Sequence, residues 1–171
     1  RRANATAPVV RKPALQRALP GVRPIGEDPG TPDQDVRDRL EMLLAVDESL
    51  ARIVRTLKAM GEYERTAIIL TSDHGYFYGE HHLNEERRLA YEETARIPLI
   101  VRYAPLVPAG ATPPQMVQTI DLAPTILALA RVTDTVPRHG RSLVPVLRGD
   151  RAPWRSSVLI EYFSDKVFPR M

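Results

Sequence analysis

The side chains best suited to chemistry gather in one stretch, ILTSDHGYFYGEHHLNEERRLAYEE, residues 69–93. Asp73 and His74 offer a hard carboxylate oxygen and a ring nitrogen at adjacent positions, donors that a divalent cation can use. Gly75 allows the backbone to turn away behind them. Further on, His81, His82, Arg87 and Arg88 bring imidazoles and guanidinium forks, groups that bind oxyanions. Each feature also has a plainer reading. Asp-His-Gly at a strand end makes an ordinary turn, the histidines a solvated pair, and the arginines a charged helix face with Glu85, Glu86, Glu92 and Glu93.

Strands and helices must position these groups. TAIILTS, 66–72, is β-branched and aliphatic without alternation, the pattern of a strand covered on both faces in a parallel sheet, and it delivers Asp73 and His74 at its carboxyl end. IPLIVRY, 97–103, reads as a second buried strand and SSVLIEYF, 156–163, as a third. A long helix precedes the first strand. Thr31, Pro32 and Gln34 resemble an N-cap, a first-turn proline and a capping-box partner, and Gly61 stands where a C-cap would end the helix. Its apolar stripe is Val36, Leu40, Leu43, Leu50, Val54 and Leu57, interrupted by Asp47, a carboxylate that needs a hydrogen-bond partner inside a buried stripe. Asp121 through Ala130 predicts a further helix with Asp121 as N-cap. Strands alternating with helices predict an α/β fold with a mostly parallel sheet flanked by helices.

Composition narrows the remaining classes. There are 24 basic and 21 acidic residues, net +3, with signs mixed along most of the chain, which describes a solvated surface and no nucleic-acid footprint. Residues 1–32 differ: they hold six prolines, and Arg1, Arg2, Arg11, Lys12, Arg17 and Arg23 precede the first acid. That segment reads as a Pro-rich basic lead-in or linker, with the ordered part over 33–171. The absence of cysteine excludes disulfides, thiolate metal sites and a Cys nucleophile within these residues. No stretch approaches the roughly 18 apolar residues of a membrane span.

Several motifs in order carry more weight than any one alone. LTSDHGYFYGEHHL, RRLAYEETARIPLIV, QTIDLAPTILALA, HGRSLVPVL and WRSSVLIEYF together resemble the later part of a sulfatase catalytic domain, from about Leu40 to Phe163. The resemblance implies an alkaline-phosphatase-like fold, present here as an incomplete domain, that hydrolyses sulfate esters around one divalent cation, usually Ca2+. It assigns Asp73 and His74 to the metal, and Arg87 and His81 to substrate; Arg87 stands where the family has Lys, and His82 where Gly is usual. The family nucleophile is a formylglycine made from a Cys or Ser of a Cys/Ser-x-Pro-x-Arg motif. That motif is missing, so no catalytic nucleophile is expected in this chain.

By the same resemblance, the partners are a sulfated small molecule or glycan and the remainder of the catalytic domain, in a periplasmic or secreted protein. Arg96, Asp121 and His139 are expected to be structural. Two alternatives stay open: a phosphodiesterase or phosphonate hydrolase of the same superfamily, and a noncatalytic remnant acting as an interaction module through its basic lead-in.

Overall fold

A computed structural model describes residues 32–80, 89–151 and 153–161. The chain divides into two compact units: Arg1–Ala51 with His74–Ile97 and Ile160–Met171, and Arg52–Asp73 with Pro98–Leu159. Helix α1, Asp33–Ala59, contributes residues to both.

The acids and bases of α1 complement its dipole, with Asp33 and Asp35 in the first turn and Lys58 in the last. The expected Thr31 cap lies outside the described residues. At the other end Gly61, at φ +72°, donates to the Lys58 carbonyl while Glu62 donates to that of Leu57, a complete Schellman closure. The apolar stripe is present but not enclosed. Leu50, Val54 and Leu57 are half-buried, whereas Leu40 and Leu43 are 59% and 58% exposed. Asp47 therefore does not interrupt a buried stripe; it is solvent-exposed, and hydration replaces the protein partner that burial would have demanded.

The first unit contains the short helix α2, Glu92–Ala95, and two buried side chains, Phe77 and Leu89. The Phe77 and Tyr91 rings meet edge to face, their centroids 5.5 Å apart. Thr94 is buried as well, its hydroxyl donating to the Leu89 carbonyl.

The second unit holds strands β1, Ile68–Thr71, and β2, Leu99–Arg102. Their register pairs Ile68 with Arg102 and Thr71 with Leu99, and they run antiparallel. The expectation of a parallel arrangement is corrected for this pair: the chain reverses between the strands, and an antiparallel strand is a common component of mixed sheets. Nor are the strands covered on both faces. They have only each other among the described residues, and Ile100 remains 60% exposed. The third expected strand is corrected too: residues 156–161 form no strand, because their aliphatic run has no ladder partner there, and Tyr162 and Phe163 lie outside the described residues.

Helices α3, Leu122–Leu129, and α4, Val144–Arg148, complete this unit and surround its small core of Leu143, Val146 and Leu147. Both close as α1 does. Gly149 has φ +84° after α4, but after α3 the left-handed position is filled by Arg131 at φ +57°, a strain of roughly 1–2 kcal/mol for a residue with a Cβ.

Candidate functional site

The strand that leads into the Asp-His pair ends at Thr71, whose hydroxyl donates to the Pro98 carbonyl at 2.8 Å and ties the strand end to the start of β2. Asp73 is exposed and closes its segment of the second unit; His74 is half-buried and opens a segment of the first. The His74 Nδ1 lies 2.8 Å from the Gly75 carbonyl oxygen. A carbonyl can only accept, so in this contact Nδ1 is the donor.

Gly75 is required for a different reason from the turn expected of it. Its backbone donates to the Thr94 carbonyl at 2.8 Å, and Tyr76 donates to that of Glu93 at 2.9 Å. This brings the two chain segments so close that a Cβ on Gly75 would lie 2.0 Å from the Glu93 carbonyl oxygen. The residues after His74 are thus clamped by backbone to the start of α2. The clamp continues into Tyr78, whose backbone donates to the Glu80 carboxylate at 2.6 Å. Arg39 of α1 reaches this loop, its guanidinium 4.0 Å from the Tyr76 ring centroid.

His81 and Arg87, together with His82 and Arg88, lie outside the described residues. Among the described residues no three His, Cys, Asp or Glu side chains cluster in a way that could hold a metal ion. Asp73 and His74 are therefore at most two of the six or so donors that a hard cation takes. Arg39 and the Gly75 clamp were absent from the sequence reading. The Asp-His-Gly motif signalled a special glycine, but its packing partner, some 20 residues on, left no local mark.

A second polar cluster in the other unit is structural. Asp121 is fully buried, and its carboxylate accepts from the backbone of Gln118 and of Arg141, each at 2.8 Å, and from both terminal nitrogens of Arg155. Asp121 stands at the N-cap position of α3 as expected, but capping that helix does not account for its side chain. Its side chain makes no cap bond to α3, but forms a capping box with Gln118 over the preceding 3-10 turn, Thr119–Asp121, and locks the Arg141 and Arg155 segments to it. Burial alone would push the carboxyl pKa up; the Arg155 guanidinium and the two backbone donors outweigh it and hold the pKa below the usual value. Arg96 and His139 are exposed, Arg96 pairing with Glu92 at 3.4 Å.

Comparison with known proteins matches the sulfatase family over residues 6–132. The chain is 40% identical over 133 residues to an N-acetylglucosamine-6-O-sulfatase of Bacteroides thetaiotaomicron, covering 76% of this chain and 24% of that one. A solved structure in complex with its substrate D-glucosamine-2-N,6-O-disulfate superposes with TM-score 0.69 at 38% identity, over 74% of this chain and 26% of that one. A phosphonate monoester hydrolase from Silicibacter pomeroyi superposes with TM-score 0.60 at 32% identity, over 74% and 25%. The chain thus carries part of an alkaline-phosphatase-like α/β fold. It belongs to the sulfatase family, and spans about a quarter of the length of the curated relatives it matches.

Proposed function

We propose that this chain forms part of a sulfuric ester hydrolase acting on a 6-O-sulfated amino sugar. The observation that carries the reading is its identity to an N-acetylglucosamine-6-O-sulfatase, across the stretch that includes the Asp-His pair. In this reading Asp73 and the Nε2 of His74 contribute to a divalent cation, most simply Ca2+, while Arg87 and His81 contact the sulfate. A bound cation would draw charge from the nonbridging oxygens of the ester. The residues of this chain bind and orient: the clamp at Gly75 fixes His74, and a guanidinium supplies a planar fork for the anion. The nucleophile is expected from a Cys/Ser-x-Pro-x-Arg motif that these 171 residues lack.

The test is hydrolysis of N-acetylglucosamine-6-sulfate by the protein expressed from its complete gene, with and without a chelator, beside its Asp73→Ala variant. Turnover lost on chelation and in the variant supports the reading. Turnover that survives both would remove Asp73 from the metal site. The phosphonate hydrolase similarity supports a second reading, hydrolysis of a phosphonate monoester. A phosphonate ester assayed in parallel separates the two, because a complete protein that turns over the phosphonate and no sulfate ester belongs to the second.

A further inference from the structure

Arg39 presents an unusual cation. Its guanidinium lies 4.0 Å from the Tyr76 ring centroid and 5.5 Å from that of Tyr78, and Nη2 donates to the Tyr76 hydroxyl at 2.9 Å. The two rings are tilted by 50° with centroids 5.4 Å apart. The side chain is held against two phenol rings, and no carboxylate among the described residues pairs with it. A guanidinium has five N–H donors in a rigid plane, and the two phenol oxygens of Tyr76 and Tyr78 can take up only part of that set. Tyr76 is fixed in turn by the backbone bonds that join Gly75 and Tyr76 to Glu93 and Thr94. The result is an oriented cation with no carboxylate partner among the described residues, and such a fork binds an anion with little further loss of side-chain freedom.

We propose that Arg39, oriented by Tyr76 and Tyr78, forms a subsite for a second sulfate group of a multiply sulfated amino sugar, apart from the ester that is cleaved. This rests on the proposed function for the class of ligand. Tyr76 stands two residues beyond His74, so the subsite belongs to the loop that carries one of the proposed cation ligands. The chemistry is a charge-assisted fork on a sulfate, the same recognition that Arg gives phosphate and carboxylate.

The experiment uses two probes that lack the 6-O ester, so that binding is read without turnover. Glucosamine-2-N-sulfate and glucosamine are titrated into the protein from the complete gene and into its Arg39→Ala and Arg39→Lys variants. Arg148→Ala, which removes an exposed charge paired with Asp150, serves as the control for net charge. Arg39→Ala should weaken glucosamine-2-N-sulfate about tenfold or more and glucosamine by less than about twofold, with Arg39→Lys between the two and Arg148→Ala like the parent. Equal weakening of both probes, or a parent that does not prefer the N-sulfate, overturns the proposal. A retained preference in a protein that hydrolyses no sulfate ester would support the subsite and count against the hydrolase reading alone.

Discussion

The Asp121 carboxylate and the Arg155 guanidinium meet through two hydrogen bonds, one of them 2.8 Å long, with the carboxylate fully buried and the guanidinium side chain 11% exposed. Because 34 residues of chain separate them, this pair closes the second unit on itself. Breaking it from one side leaves a buried charge without a partner. Arg155→Met should lower stability by roughly 3–5 kcal/mol, and pairing it with Asp121→Asn should recover part of that loss, since no charge is then stranded. Urea unfolding of the protein from the complete gene measures this; a loss under about 1 kcal/mol in Arg155→Met would show that the pair is not a closure.

Acid should act through the same carboxylate. The folded pKa of Asp121 lies below its ordinary value, so its contribution is fully present above the unfolded pKa of about 3.9 and is lost as pH falls through the folded one. Asp134, held below the usual range by the Arg138 guanidinium, acts in the same direction from an exposed position. Stability should therefore be flat from about pH 6 to 5 on this account and fall below about pH 4. The fall should be shallower in Asp121→Asn. An unchanged acid slope in that variant would assign acid sensitivity elsewhere.

Two glycines are predicted to resist even alanine. A Cβ at Gly75 would stand 2.0 Å from the Glu93 carbonyl oxygen, and one at Gly140 would stand 1.9 Å from that of Ile120. In both cases the obstacle is backbone, which cannot rotate aside. Each substitution should cost at least as much as typical overpacking, about 1–3 kcal/mol. Gly61→Ala meets nothing within 4 Å and bears only the left-handed strain, near 1 kcal/mol. Thermal unfolding of the three variants gives the ranking, and equal effects at all three positions would deny the close approaches.

The chain expressed as these 171 residues should not hydrolyse a sulfate ester. It contains no Cys and no Ser-x-Pro-x-Arg sequence, and losing a covalent nucleophile removes several powers of ten in rate. It should also bind a hydrophobic dye, because Met42, Leu44 and Val46 on α1 are 71%, 62% and 52% exposed. A chromogenic aryl sulfate and a dye titration check both expectations. Turnover abolished by Asp73→Ala would mean that an unrecognised nucleophile lies within the chain.

Much that is local was legible in sequence. The helix up to Ala59, its glycine closure at Gly61, and the strand that ends just before Asp73 follow from periodicity, propensity and the left-handed tolerance of glycine, all set by near neighbours. Motif order gave the family for the same reason, since a series of short patterns survives without knowledge of their contacts. What the sequence could not determine was pairing. The antiparallel direction of β1 against β2 depends on where the chain returns, and 156–161 has the composition of a strand but no strand neighbour among the described residues. Asp121 looks like a cap until Arg155 closes on it, and Gly75 looks like a turn until Glu93 is brought against it. These roles arise from groups some 20 to 34 residues apart, and only the folded chain brings such groups within the few ångströms over which hydrogen bonds and steric exclusion act.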